Sequence, residues 1–160
     1  MRFEKKAYIS VLYFSLISII YSLITVEVAD YFGINENDIG GFKFKNSIQE
    51  ILVSLIIAPL LETIIFQYLV YKIIYLLKNF IQKFVLKNNH QYLVFYLSIS
   101  SILFAINHSY SEYYILLMLL PGLILSFAFY YFKKGYSYPI FYVFLLHFFH
   151  NLAALIYDKF

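Results

Sequence analysis

Long apolar runs, separated by short charged segments, organise the chain. Charged residues bound five stretches that are each long enough to cross the ~30 Å hydrocarbon core of a bilayer as a helix. The five predicted spans are residues 7–26, 51–71, 88–111, 113–132 and 135–157. The pattern predicts an all-α fold, a polytopic transmembrane helix bundle. At this length, residues 1–160 are expected to form a single membrane domain.

Basic residues gather on one side of this arrangement. They precede the first span and separate the second span from the third and the fourth from the fifth, at Arg2, Lys5, Lys6, Lys72, Lys78, Lys83, Lys87, Lys133 and Lys134. The positive-inside rule then places the N-terminus inside and the C-terminus outside. The first apolar run is too long for a signal-peptide core and no small-residue cleavage site follows it, so we expect a retained span.

Two connecting segments have different expected structures. Residues 27–50 contain Gly40–Gly41 with several Asn and Asp residues, which predicts an exposed loop. In residues 73–91, Phe and Lys each recur at a spacing of four. That pattern fits either a basic amphipathic helix on the inner leaflet or an extension of the second span.

Composition supports a membrane protein and excludes other classes. The chain is 62% hydrophobic and 13% charged, and its mean hydropathy is +0.75, whereas soluble domains are about one-quarter charged. It has no cysteine, which excludes disulfides and thiolate metal sites. The net charge of +3 is spread along the chain rather than on one basic face. The expected partner is therefore the lipid bilayer and not nucleic acid.

Glu62 is the single charge in the second span, ILVSLIIAPLLETIIFQYLVY. A carboxylate at this depth costs at least ~2.5 kcal/mol, so such a group normally faces a polar partner. The third span ends in FAINHSY, which contains His108, and the fifth contains HFFHN, in which His147 and Asn151 share one helix face. We expect Glu62, His108, His147 and Asn151 to form one buried polar site.

We expect the two remaining histidines to lie in different environments. His90 lies among Asn and Gln residues and is expected to be solvated, whereas His150 either lines the site or bonds a backbone carbonyl. His108 also poses a problem of depth, because a straight helix 88–111 would hold it ~13 Å from the helix midpoint. To meet Glu62, the third span must be shifted or tilted, or the turn at 109–114 must dip into a wet cavity.

The four site residues allow more than one role. They can simply hydrogen-bond neighbouring helices, at ~0.6 kcal/mol each. Catalytically, a buried carboxylate can act as general base for water, while imidazole and amide groups stabilise an oxyanion. Alternatively, Glu62, His108 and His147 could hold Zn²⁺ with one open position. No HExxH motif is present, so spacing does not favour a metal and we predict no cofactor.

These residues, in this order, resemble the CPBP family of CaaX-protease and bacteriocin-processing intramembrane proteases. Its motifs are EExxxR, FxxxH and either HxxxN or HxxxD; here the second runs from Phe104 to His108 and the third from His147 to Asn151. The APLLE sequence, the Pro121–Gly122 pair and the segment YYFKKGYSYPIFYVFLLHFFHN are also similar to the family. The family-like core covers about residues 50–157.

The first motif departs from the family pattern. It reads ETIIFQ, in which Glu62 is present but Thr63 replaces the second glutamate and Gln67 replaces the arginine. A missing carboxylate weakens a metal site, and a missing arginine removes a bidentate partner.

The resemblance implies an intramembrane endopeptidase that acts on a membrane-associated peptide or protein, in a bacterial plasma membrane. Glu62 would activate water with assistance from His108, and His147 and Asn151 would support the oxyanion. The departures in the first motif leave open a catalytically impaired relative that acts as a binding, immunity or regulatory protein. A small transporter or ion-pathway subunit is a third alternative.

Overall fold

Each long apolar run of the sequence forms a helix. The computed structural model describes residues 4–34, 44–77, 80 and 88–157. The helices, in chain order, are α1 (Lys5–Tyr31), α2 (Ser47–Leu76), α3 (Asn89–Asn107), α4 (Glu112–Gly135) and α5 (Pro139–Tyr157). The predicted all-α bundle is confirmed.

Four of these helices are long and apolar enough to cross a membrane: α1, α2, α4 and α5, within the residues described. The polar first turn and the serines of α3 lower its hydropathy, and it falls outside this set. Four spans with a fifth helix packed among them agree with the expected number of about five. The protein is a multi-pass membrane protein, and its N-in, C-out orientation stays a prediction.

Two of the predicted boundaries were wrong. Helix α1 continues to Tyr31, and α2 begins at Ser47 because the Asn46 side chain accepts the Gln49 N–H at 2.9 Å, a standard N-cap. The loop expected over residues 27–50 is therefore shorter, and Gly40–Gly41 lies outside the described residues. About half of the segment 73–91 that was expected to be amphipathic, residues 78–79 and 81–87, also lies outside them.

Contacts between side chains fix the directions of the helices. Tyr96 and Ser100 of α3 donate to the Gln67 and Phe66 carbonyls of α2, at 3.2 and 2.7 Å, so α3 runs antiparallel along the second half of α2. Ser101 donates to the Leu119 carbonyl of α4, its antiparallel neighbour. Helix α5 runs parallel to α1, because Tyr8 contacts Tyr142 and Ser18 contacts His150 further along both helices. The buried core between the helices is aromatic, with Tyr96, Phe104, Phe129, Phe132 and Tyr142 almost fully enclosed.

Helix α2 widens on both sides of Glu62. The turns Val53–Ile57 and Thr63–Leu69 are π-helical, and the α-helical turn Ala58–Glu62 lies between them. Such wide turns are often found at functional sites because they change which side chains share a face and leave backbone groups without helical partners. Glu62 is therefore placed by an irregular part of an otherwise regular helix.

Close packing of α3 on α4 depends on Gly122. A Cβ added there would lie 3.0 Å from a ring carbon of Phe104 and 3.1 Å from backbone atoms of Ser101. The absence of a side chain thus lets α4 approach α3 at the level of Phe104.

Replacing Gly122 with alanine is expected to lower the free energy of unfolding by about 1–3 kcal/mol, because the extra methyl group overpacks this contact. Thermal unfolding in detergent measures the change. Gly135→Ala is the matched control, since a Cβ there meets no atom within 4 Å among the described residues. Equal stability of the two variants would contradict the close helix contact.

Candidate functional site

Glu62 lies between two histidines inside the bundle. Its Oε1 is 3.7 Å from Nε2 of His108, and its Oε2 is 3.6 Å from Nε2 of His147. The three side chains are 13%, 15% and 5% exposed, respectively. Helices α2 and α5 and the end of α3 thus place one carboxylate between two imidazoles in a largely water-excluded position.

His108 reaches Glu62 because α3 ends early. The helix ends at Asn107, not at residue 111, and Ser111 accepts the Tyr114 N–H at 3.1 Å to start α4. The His108 ring turns back so that Nδ1 lies 2.8 Å from the Phe104 carbonyl. A carbonyl only accepts, so Nδ1 carries the proton and Nε2 of the neutral ring presents a lone pair towards Glu62.

Phe104 contacts both imidazoles. Its ring centroid is 4.6 Å from that of His108 and 5.8 Å from that of His147, and the side chain is 1% exposed. Phe66, one helical turn beyond Glu62, meets the same ring edge-on at 6.0 Å. The aromatic residue of the FxxxH pattern therefore packs the two histidines into fixed orientations.

The gaps around the carboxylate suit a bridging water. Distances of 3.6 and 3.7 Å exceed the ~3.2 Å limit of an ordinary N–H···O bond. A water molecule placed between Glu62 and His108 could reach a carboxylate oxygen and the imidazole lone pair at ~2.8 Å each. The carboxylate and the imidazole are then both in position to act on the same water.

A metal ion fits these residues less well. Two imidazoles and a carboxylate are donors that zinc accepts. Over residues 4–34, 44–77 and 88–157, however, no group of three or more His, Asp or Glu side chains is placed to hold a metal ion. The chemistry proposed below uses Glu62, His108 and His147 directly.

Asn107 is a site residue that sequence reasoning missed. Its Nδ2 lies 3.5 Å from Oε1 of Glu62, on the same oxygen that faces His108. The sequence contains one indication of this role, because Asn107 immediately precedes His108 in FAINHSY. The predicted span 88–111 placed Asn107 inside the helix, where it was given no role.

Asn151 bonds the backbone of α2. Its Nδ2 donates to the Ser54 carbonyl at 2.8 Å. That carbonyl lacks a helical donor for two reasons. The Ala58 N–H, its α-helical partner, donates to the Val53 carbonyl instead. The next residue, Pro59, has no N–H to donate. Asn151 thus satisfies a carbonyl released by the π-helical turn and joins α5 to α2 one turn beyond His147.

Replacing Asn151 with alanine is expected to destabilise the protein by about 0.6–1.7 kcal/mol, the range of hydrogen bonds between membrane helices. The Ser54 carbonyl would lose its donor. Unfolding of the purified protein in mixed micelles of rising SDS content measures this change. Asn89→Ala, at an exposed asparagine in the first turn of α3, serves as the control, and an equal loss in both variants would contradict the role of the Ser54 bond.

The other two histidines lie elsewhere. His150 Nδ1 is 2.9 Å from the Ser18 hydroxyl of α1, so its ring bonds a side chain rather than a backbone carbonyl. His90 lies in the first turn of α3 and is exposed, as expected of a solvated residue.

Thr63 and Gln67 are fully enclosed in the wide turn after Glu62. Both side chains are 0% exposed. Thr63 Oγ1 and the Gln67 amide atoms find no hydrogen-bond partner within the part of the chain that the structure describes. The two positions where the resemblance leads us to expect an acid and an arginine therefore carry neutral groups in an apolar environment.

The fold and the site define a polytopic α-helical membrane protein with a carboxylate held between two imidazoles. The family model described as Type II CAAX prenyl endopeptidase Rce1-like matches residues 44–153. The chain belongs to this family, as the resemblance of its motifs predicted, and membership implies CAAX-type intramembrane endopeptidase activity in general. Neither the curated proteins nor the solved structures gave a significant match.

Proposed function

We propose that this protein hydrolyses peptide bonds of a membrane-associated peptide or protein with a water molecule that Glu62 activates. The observation that carries the proposal is the position of the two Glu62 oxygens, 3.7 and 3.6 Å from Nε2 of His108 and His147. Family membership supports the reaction class. The plasma membrane of a bacterium, expected from the sequence, is the proposed location.

The reaction begins with a water molecule held between Glu62 and His108. Glu62 removes one proton as the water oxygen forms a bond to the scissile carbonyl carbon. His147 stabilises the resulting oxyanion, together with the second N–H of the Asn151 amide, whose first N–H holds Ser54. Glu62 then passes its proton to the leaving nitrogen as the C–N bond breaks, which yields a carboxylic acid and an amine.

Asn107 acts as a positioning residue in this scheme. Its amide faces the carboxylate oxygen that also faces His108. A hydrogen bond from Asn107 would hold Oε1 in the orientation in which it meets the water. The carboxylate therefore has an amide and an imidazole on one oxygen and an imidazole on the other.

A second candidate function rests on Thr63 and Gln67. Neutral residues at these buried positions leave Glu62 without an acidic neighbour or an arginine, which favours a catalytically impaired relative. Such a protein would bind a membrane peptide and act in immunity or regulation without cleaving it. In that case Glu62→Gln would keep the biological effect.

Cleavage by the purified protein tests the proposal. Wild-type protein in liposomes is expected to convert a membrane-anchored peptide that ends in a prenylated CAAX sequence into two fragments. The masses of the fragments should add up to that of the peptide plus one water. An intact peptide in the presence of folded protein would favour the impaired relative. Loss of cleavage with a zinc chelator, restored by zinc, would instead support metal chemistry.

A further inference from the structure

A cavity opens at the lysine-rich end of the bundle, away from Glu62. It lies between the start of α1 and the end of α4 and has a volume of about 490 Å³. Residues Lys6 and Lys134 line it from the two helices, and Glu4 is also at its wall. The cavity belongs to no part of the proposed catalytic site.

The cavity carries a net positive charge that no acidic side chain of the described residues neutralises through an ion pair with its lysines. Its lining residues include two ammonium groups and one carboxylate. Neither Lys6 nor Lys134 forms an ion pair with an acid in the described ranges; the pairs found there both join Glu62 to a histidine. Lys134 lies over the ring of Tyr130, 4.5 Å from the centroid, which holds its ammonium group at the edge of the cavity.

Tyrosine side chains fix the cavity wall. The Tyr131 hydroxyl is 3.1 Å from the Ser10 hydroxyl of α1 and 3.3 Å from that of Tyr136. Ser10 in turn donates to the Lys6 carbonyl at 3.0 Å. This chain of hydroxyls joins the two helices and makes the cavity a defined feature of the fold rather than a gap between loose side chains.

The cavity also has an apolar side. Phe127 lines it from a position two turns before Lys134 on α4, and its side chain is 43% exposed on the surface of a membrane-spanning helix. A cationic end joined to an apolar wall matches an amphiphile with a negative headgroup, whereas a soluble anion would leave the Phe127 face uncovered.

We infer that the cavity binds an anionic phospholipid, with its phosphate between Lys6 and Lys134 and an acyl chain along Phe127. Basic pockets between membrane helices are known to hold such headgroups. The tyrosines at the wall suit the interface between headgroups and acyl chains.

Titration of the full-length protein in detergent with defined lipids tests this inference. The probes are phosphatidylglycerol, phosphatidylcholine and inorganic phosphate, and the readout is the rise in unfolding temperature with concentration. Phosphatidylglycerol alone is expected to stabilise the wild-type protein. The variant Lys6→Ala/Lys134→Ala is expected to lose about 30-fold in apparent affinity, because both of the charges that contact the phosphate are removed.

The matched control is Lys5→Ala/Lys133→Ala, which removes the same charge at neighbouring positions that do not line the cavity. It is expected to bind phosphatidylglycerol like the wild type. Lys6→Arg/Lys134→Arg keeps both charges and should also retain binding. Its binding would show that the loss in the alanine pair comes from the missing charges rather than from a folding defect. Equal loss in both alanine pairs, or equal stabilisation by phosphatidylcholine or by inorganic phosphate, would overturn the inference.

Discussion

Replacing Glu62 with glutamine is expected to lower the rate of peptide cleavage by about 10²–10⁴-fold, the usual contribution of a positioned acid–base group. Glutamine has nearly the same size and keeps one oxygen near the histidines, but its amide cannot accept the proton of the attacking water. The rate is measured with wild-type protein and variant reconstituted at equal density in liposomes. Unfolding temperatures of the two proteins show whether the fold is unchanged.

The matched control for this change is Glu112→Gln. Glu112 is exposed in the first turn of α4, so the same loss of a carboxylate there should leave the cleavage rate unchanged. Binding of the intact peptide to the Glu62→Gln protein should persist. Undiminished cleavage by Glu62→Gln would rule out Glu62 as the base.

The second large effect is expected at His147. A His147→Gln change should reduce cleavage by about 10²-fold or more, because it removes the imidazole that lies beside Glu62 Oε2 and that stabilises the oxyanion in the proposed mechanism. The same change at His150 removes the bond to Ser18 and should lower stability while cleavage by the folded fraction remains.

These two histidines are three residues apart on one helix, so the pair separates catalysis from packing. The rate per folded molecule, obtained from active protein after size-exclusion chromatography, is the deciding quantity. Similar losses at both positions would mean that His147 acts only through packing.

The sequence predicted the bundle well because bilayer thickness sets the length of apolar runs. It also identified Glu62, since an isolated carboxylate in such a run needs a partner. The uncommon polar residues within the third and fifth predicted spans indicated His108 and His147 as partners, the family resemblance pointed to the same two residues, and the structure brings both within 3.7 Å of the carboxylate. Spacing alone could not have paired residues from three helices, because helix rotation and depth are set by packing.

The end of α3 was placed too far along the chain. Ser111, followed by Glu112, is a recognisable start signal for a helix, and it implies that the preceding helix ends before Ser111. Recognising that cap would have resolved the depth of His108, because the ring then lies at a helix end that can turn back towards Glu62.

The partner of Asn151 was harder to predict from the sequence. Helical periodicity assumes 3.6 residues per turn, and the π-helical turn at Val53–Ile57 breaks that assumption. Because Pro59 has no N–H, the sequence shows that one backbone carbonyl lacks a helical donor. Which carbonyl this is depends on whether the local turn is α-helical or π-helical. The bond from Asn151 to Ser54 therefore emerges only when α2 and α5 are packed together.

Hydrolysis in water labelled with oxygen-18 tests the central claim most directly. Wild-type protein in liposomes is incubated with the prenylated CAAX peptide, and the fragments are weighed by mass spectrometry. We expect one oxygen-18 atom in the new C-terminal carboxylate for the wild type, and about 10²–10⁴-fold slower formation of the labelled fragment by Glu62→Gln. The absence of a labelled fragment with folded wild-type protein, or equal amounts from both proteins, would contradict Glu62-activated hydrolysis.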